Sequence, residues 1–175
     1  MQKININNLN INNMRNTNIK TSRGIRNNNP LNIRHSASRW QGMRVEQTDK
    51  EFVQFESMAM GYRAAWRVLE TYWSHFEKEN KPYTVKNIIH RWAPPVENDS
   101  EAYVRTVCRL SGLGGNEAMP RPSTSQMLRK HEMRYMGDRR KLILLIKAMA
   151  CVECGLRPED INETDITDGY AKAFE

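Results

Sequence analysis

The chain has 175 residues, a length that suits one domain with a hydrophobic core of its own. Its 27 lysine and arginine residues outnumber 20 aspartate and glutamate residues, and the formal net charge of +7 favours polyanionic partners such as nucleic acid or an acidic cell-wall polymer. No apolar run has the length of a signal-peptide core or a membrane span, so we expect cytoplasmic synthesis and no membrane insertion.

The N-terminal segment, residues 1–22, differs in composition from the rest of the chain. Asparagine occupies eight of the first twenty positions, and isoleucine and lysine fill much of the remainder. Such a segment cannot bury enough apolar surface to offset the entropy lost on ordering. We predict a disordered tail over residues 1–22 and a single domain over residues 23–175.

Residues 24–42 form the most distinctive segment of the sequence. Three consecutive asparagines precede Pro30, which disfavours helix at Asn29, and asparagine side chains close turns by hydrogen bonding to nearby backbone. Trp40 follows at the far end of the segment. The pattern predicts an ordered polar loop with an aromatic side chain, a combination that suits a sugar or peptide ligand.

Short apolar stretches over residues 43–55 predict two brief strands joined by a turn at residues 47–50. Helical periodicity begins after them. Ser57 is predicted to cap the first helix, and Asn80 and Pro82 to bound its end. The apolar stripe of this helix, which we assign to the core, consists of Ala59, Tyr62, Trp66, Leu69, Trp73 and Phe76.

Two further helices are predicted next. Thr84 opens the first of them, and Pro94 ends it because proline cannot continue a helix. Asn98 with Glu101 has the spacing of a capping box and predicts the start of the following helix. Gly112 is predicted to end that helix.

Residues 111–123 are rich in glycine, proline and serine and predict a mobile loop, after which a weaker amphipathic helix is predicted over residues 124–135. Asp138 is predicted to cap the last long helix, residues 139–154, which Gly155 ends. This helix is apolar on most sides and therefore belongs at the centre of the domain. The predicted fold class is mainly α, with a small extended or β patch near the Asn-rich loop.

The three cysteines, Cys108, Cys151 and Cys154, make no even disulfide set. Cys151 and Cys154 have C-x-x-C spacing, but they end an apolar helix, and no second Cys or His pair with zinc spacing accompanies them. We predict reduced thiols, no metal and no cofactor.

Glu153 is the carboxyl group that we assign to chemistry. It ends the central apolar helix, where low-dielectric surroundings and the negative end of the helix dipole favour the protonated acid. A protonated carboxylic acid is what donation to a glycosidic leaving oxygen requires. From the residues alone, three alternatives stay open: a solvent-facing Glu153, a base or ligand contact elsewhere, and a Ser/His/Asp or Cys/His relay. The other groups considered are Glu46, Asp49, Glu51, Glu56, Glu97, Asp99 and His35.

Five segments occur together in the sequence: residues 23–34 (RGIRNNNPLNIR), 40–42 (WQG), 52–55 (FVQF), 61–64 (GYRA) and 91–103 (RWAPPVENDSEAY). In combination they resemble a set of small phage and prophage proteins described as virion or structural proteins. The resemblance covers residues 23–112 and extends more loosely to residues 148–155. It implies association with the virion and other virion proteins as partners.

The order of these segments is also similar to that of the flagellar-type glucosaminidases, peptidoglycan hydrolases with a lysozyme-like fold. In that family a catalytic Glu directly precedes the Asn-Asn segment and a Tyr lines the sugar site, whereas no acidic residue precedes Asn27 here. Residues 148–155 resemble the helix-Glu-x-Gly end of lysozyme-like transglycosylases, displaced to the C-terminus. The resemblance implies a circularly permuted lysozyme-like helical domain, since domain termini often lie close together.

This second resemblance implies that Glu153 is the general acid, with its carboxyl group within about 12 Å of the Asn-rich loop. It implies cleavage of peptidoglycan glycan strands by a muramidase, glucosaminidase or lytic transglycosylase that is delivered to the cell wall or periplasm. The alternative is a non-catalytic virion or wall-binding protein. A third interpretation is a basic nucleic-acid binder, against which the lack of a DNA-reading motif argues. The implied glycan contacts are Asn28, Asn29, Asn32, Trp40 and Tyr103.

Overall fold

The structure is a computed structural model that describes residues 22–96, 98–123 and 133–174. It is mainly helical, as predicted. Residues 1–21 of the tail predicted over residues 1–22 lie outside the described residues, and so do residues 124–132 of the helix predicted over residues 124–135; residues 133–135 belong to the long helix α5. None of the described helices is long and apolar enough to cross a membrane. The helices are α1 (Arg23–Arg26), α2 (Met58–Lys78), α3 (Val85–Trp92), α4 (Ser100–Ser111), α5 (Met133–Cys154) and α6 (Glu163–Phe174), with one 3-10 turn at Pro158–Asp160.

The starts of α2 and α3 follow the predicted caps. Ser57 and Thr84 are extended, and the side-chain oxygen of each accepts a hydrogen bond from the backbone N–H three residues later, at 3.3 Å in both cases. The predicted cap of α4 is wrong by one residue: Asp99, not Asn98, accepts from the backbone N–H of Ala102 at 2.9 Å. The carboxylate of Asp99 thus caps α4 in place of the predicted capping box.

Helix α5 occupies the centre of the domain. It already includes Met133, so Asp138 lies inside the helix and the predicted cap at Asp138 is wrong. The helix ends where predicted, with Gly155 in the left-handed conformation at φ +63°. Its largest fully buried apolar side chains are Leu142, Leu145, Ile146 and Met149.

Helix α6, which the sequence analysis did not predict, packs along α2. Trp66 of α2 donates its indole N–H to the carbonyl of Ile166 at 3.1 Å, and its ring meets Tyr170 edge-on with 5.1 Å between centroids. A Cβ at Gly169 would lie 2.7 Å from the Cβ of Tyr62, so only glycine permits this close approach of the two helices. The four-residue spacing of Ile166, Tyr170 and Phe174 was the available signal.

The two predicted strands between residues 43 and 55 are not formed within the described part of the chain. Isolated bridges join Arg34 to Phe52 and Met43 to Phe55 instead. The side-chain amide of Gln47 bonds both the N–H and the C=O of Gln54, at 2.7 and 2.8 Å, as a neighbouring strand would. Side chains therefore satisfy backbone groups that a ladder would otherwise pair.

Candidate functional site

An open cleft of about 360 Å³ lies where the Asn-rich loop meets the C-terminal end of α5. We call it the Glu153 cleft. Its walls come from the loop, the bridge residue Phe52, the end of α3 and the segment that follows α3. The residues that line it are Leu31, Asn32, Arg34, Phe52, Trp92, Ala93, Pro94, Asn98 and Glu153.

Three side chains from distant parts of the sequence donate hydrogen bonds to the carboxyl group of Glu153. The Tyr103 hydroxyl and the Trp92 indole N–H donate to Oε1, at 2.9 and 3.1 Å. The Asn32 amide donates to Oε2 at 3.0 Å and lies 3.1 Å from the backbone carbonyl of Glu153, one of the unpaired carbonyls at the end of α5. The structure thus brings Glu153 beside the Asn-rich loop, as the sequence analysis expected.

The loop is seated on the end of α5 by its own backbone as well. Asn32 has φ +50°, a conformation that asparagine tolerates better than most residues, and the thiol of Cys154 donates to the carbonyl of Pro30 at 3.3 Å. A Cβ at Gly24 would lie 2.8 Å from the Cys154 sulfur and 2.9 Å from the carbonyl oxygen of Asn29. Glycine at position 24 therefore lets α1, the loop and α5 meet.

Tyr103 is a stable hydrogen-bond donor in this arrangement. Burial, with the nearby Glu153 carboxylate as the second cause, raises the pKa of Tyr103 well above its usual range. The hydroxyl therefore stays protonated at neutral pH and donates a hydrogen bond to the carboxyl group of Glu153. Helix α4 positions the tyrosine, and α4 packs against α5 over the same surface that holds Glu153.

Trp92, Arg34, Phe52 and Asn98 line the cleft although the sequence analysis did not select them as site residues. Trp92 is half-buried at the last position of α3, and its ring meets Tyr72 edge-on with 6.2 Å between centroids. The available signal was position: Trp92 precedes the two prolines that end the helix, and Arg34 follows Asn32 by two residues.

Of the five predicted glycan contacts, Asn32 lines the Glu153 cleft, and Tyr103 is not part of the lining but bonds the carboxyl group of Glu153. Asn28, Asn29 and Trp40 do not line the cleft. Asn29 is fully buried: its amide donates to the carbonyls of Ile33 and Val53 at 2.9 and 2.8 Å, and its oxygen accepts from the N–H of Ile33. The Asn28 amide donates to backbone carbonyls at residues 55 and 56. Trp40 is half-buried against the core. The two asparagines hold the loop in shape.

Two other carboxyl groups near the loop, those of Asp49 and Glu51, have structural partners. Arg23 bonds both carboxylate oxygens of Asp49 at 2.7 Å and also contacts Glu51 at 2.7 Å. The hydrogen bond from Arg23, first among several, holds the pKa of Asp49 well below its usual range. The ring nitrogen Nε2 of His35 lies 2.9 Å from the Asp49 carbonyl. Among the described residues that line the cleft, Glu153 carries the one carboxyl group.

The cysteines lie outside the cleft. Burial raises the pKa of Cys154 to about 11, so it is a thiol at neutral pH. Cys151 is buried on the preceding turn of α5. The described residues hold no cluster of three or more His, Cys, Asp or Glu side chains that could hold a metal ion.

No known family profile matches the sequence. The chain is similar to Protein P5 of Pseudoalteromonas phage PM2, with 36% identity over 103 residues. The match includes 57% of this chain and 62% of the relative, so the chain spans less than two thirds of the relative's length. This likeness agrees with the predicted resemblance to phage proteins, whereas the likeness to lysozyme-like glycosidases stays a prediction. A phage protein is thus what this chain resembles.

Proposed function

We propose that this chain is a phage or prophage virion protein, and that its Glu153 cleft binds the glycan of the bacterial cell wall. Similarity to a phage protein supports the first part. Glycan binding is supported by the convergence of Asn32, Trp92 and Tyr103 on Glu153 in an open cleft.

The chemistry of the lining suits a carbohydrate. Sugar hydroxyls need donors and acceptors at fixed positions, and sugar faces pack against aromatic rings. The cleft offers the amide of Asn98, the carboxyl group of Glu153, and the rings of Trp92 and Phe52, while Asn32 positions the carboxyl group of Glu153. The formal net charge of +7 adds a general attraction to an anionic wall.

Sedimentation with purified cell-wall sacculi tests the binding proposal. We expect wild-type protein to sediment with sacculi and Glu153→Gln to bind several-fold more weakly, because the neutral amide replaces an acceptor oxygen with a donor in the cleft. Glu77→Gln, the same change at an exposed site on α2, is the matched control and should bind like wild type. Wild-type protein that stays in solution while binding duplex DNA in a salt-sensitive manner would favour the nucleic-acid interpretation instead.

A second candidate function is cleavage of the bound glycan, with Glu153 as general acid. In this scheme Glu153 donates a proton to the glycosidic oxygen as the bond from that oxygen to the anomeric carbon breaks. The three donors around the carboxyl group stabilise the carboxylate left after proton transfer. The group that attacks the anomeric carbon in this scheme is a water molecule or a hydroxyl of the sugar itself.

Loss of turbidity of a sacculus suspension tests the cleavage candidate. Glu153→Gln should abolish clearing, whereas Glu77→Gln should not. Chromatography of the soluble products separates a hydrolase, which leaves reducing ends, from a lytic transglycosylase, which leaves anhydro sugars. Binding without any clearing by wild-type protein would leave the non-catalytic wall-binding protein as the function.

A further inference from the structure

Arg34 is the second charged group of the Glu153 cleft, and neither the proposed glycan contacts nor the proposed cleavage step uses it. It lines the same cleft as Glu153, is exposed, and forms no ion pair with Glu153. Within the described part of the chain, its guanidinium group contacts the ring of Phe52, whose centroid lies 5.3 Å from the guanidinium carbon. Among the described residues that line it, the cleft therefore has one cation and one carboxyl group that are not paired with each other and are separately available to a ligand.

The position of Arg34 is fixed by its neighbours. Its backbone forms a bridge with Phe52, so the side chain starts from an ordered point beside the ring. Stacking on an aromatic face orients the guanidinium plane while its N–H groups stay free to bond a carboxylate in bidentate fashion. An arginine that is already oriented loses less side-chain entropy when it binds a ligand.

A second arginine beside Phe52 shows the contrast. The guanidinium carbon of Arg23 lies 4.6 Å from the centroid of the Phe52 ring, yet Asp49 and Glu51 neutralise its charge with contacts of 2.7 Å. Arg23 therefore has a structural role, joining α1 to the segment that contains Asp49 and Glu51. Of the two arginines on this ring, Arg34 is the one whose charge faces the cleft without a carboxylate partner.

We infer that Arg34 is a specificity-determining residue that binds a carboxylate carried by the glycan ligand. The inference rests on the proposed function and narrows its ligand to glycans that bear carboxyl groups near the bound sugars. In a cell-wall strand this chemistry has two sources: the lactyl carboxylate of a strand without peptides, and the carboxylates of the attached stem peptides. A neutral N-acetylglucosamine oligomer carries neither.

Affinities for three ligands test the inference: a neutral N-acetylglucosamine oligomer, peptide-free glycan strands, and strands with stem peptides. We expect wild-type protein to bind at least one carboxylate-bearing ligand more tightly than the neutral oligomer. Arg34→Gln should lower that affinity about tenfold and leave the neutral oligomer unaffected, since a charge-assisted pair is lost. Arg34→Lys should restore part of the affinity because it keeps the charge without the bidentate geometry.

Arg39→Gln is the matched control: it removes the same charge from an exposed position in the same segment, outside the cleft. It should leave all three affinities unchanged. The ligand whose affinity responds to Arg34→Gln identifies the source of the carboxylate. As a measurement independent of any variant, the preference of wild-type protein for the carboxylate-bearing ligand should shrink as salt concentration rises.

The failure of this inference differs from the failure of the proposed function. Equal affinity of wild-type protein for neutral and carboxylate-bearing glycans, unchanged by Arg34→Gln, would overturn the role of Arg34 and leave glycan binding intact. Absence of binding to all three ligands by folded wild-type protein would overturn both.

Discussion

The helical core and the Asn-rich loop are held together by different forces. Between α2 and α6, apolar surfaces meet closely, with Trp66 and Tyr170 fully buried and a glycine at the point of closest approach. In the loop, buried amides such as that of Asn29 bond backbone groups that lie outside helices and strands. The Glu153 cleft therefore lies at the boundary between the helical core and the polar loop, with Glu153 contributed by the core helix α5 and Asn32 by the loop.

Substitutions in the core and in the loop should therefore have different effects on stability and on the cleft. A change within the core should lower the stability of the whole domain, because apolar burial is shared by all the helices. A change within the loop should disturb the cleft as well, since the loop carries Asn32 and Arg34 into it. Three substitutions test that separation, beginning with the largest expected effect.

Trp66→Ala should destabilise the protein most. The substitution removes a fully buried indole and the hydrogen bond to Ile166, and large-to-small changes of this kind cost about 3–5 kcal/mol. Urea denaturation followed by far-ultraviolet circular dichroism measures the loss. Trp73→Ala is the control: Trp73 lies half-buried on the same helix under Arg121, and the loss there should be clearly smaller. Equal losses would contradict the assignment of Trp66 to the centre of the core.

The core could be predicted from sequence because its signals are local. Ser57 and Thr84 each bond a backbone group three residues away, and the apolar stripe of α2 repeats every three or four residues. Helix α6 was missed although it obeys the same periodicity, because its stripe consists of only three large residues, Ile166, Tyr170 and Phe174. The start of α5 was misplaced because Asp138 was interpreted as a cap.

The loop and the cleft depend on contacts that no local pattern contains. Asn29 bonds Val53, 24 residues away, and Asn32 bonds Glu153, 121 residues away. The meeting of Asn32 with Glu153 was anticipated through a family resemblance, which carries long-range information. Composition and periodicity gave no reason to place Trp92 or Arg34 in the cleft, since each reads as an ordinary helix end or surface charge.

Asn29→Ala should have the next largest effect. It leaves the buried N–H of Ile33 and the carbonyl of Val53 without the partner that Asn29 supplies, at a cost of about 2–3 kcal/mol. Asn29→Ala should also weaken glycan binding, because the loop that carries Asn32 loses its internal support. Trp66→Ala should not weaken binding when the two variants are compared under conditions where both are equally folded. Asn116→Ala, at an exposed asparagine outside the cleft, serves as the stability control and should unfold like wild type. Loss of stability with fully retained binding would show that the cleft does not depend on the loop.

The smallest expected effect is a pH dependence confined to the loop. Arg23 and Asn27 hold the pKa of Asp49 well below its usual range, so Asp49 stays ionised in the folded protein at pH values where the unfolded chain, with a pKa of about 3.9, takes up a proton. The stability contributed by Asp49 is therefore complete above about pH 5 and is lost as the pH falls through 4 and below.

Asp49→Asn tests this sign directly. The variant should be less stable than wild type at neutral pH, where the carboxylate bonds Arg23, and the difference should shrink towards zero as the pH is lowered. Asp168→Asn, at an exposed carboxyl group on α6, should show no such convergence. A stability difference for Asp49→Asn that stayed constant from pH 7 to pH 3 would mean that the Arg23–Asp49 pair does not hold the loop through its charge. The Asn-rich loop would then be held by its neutral amide side chains alone.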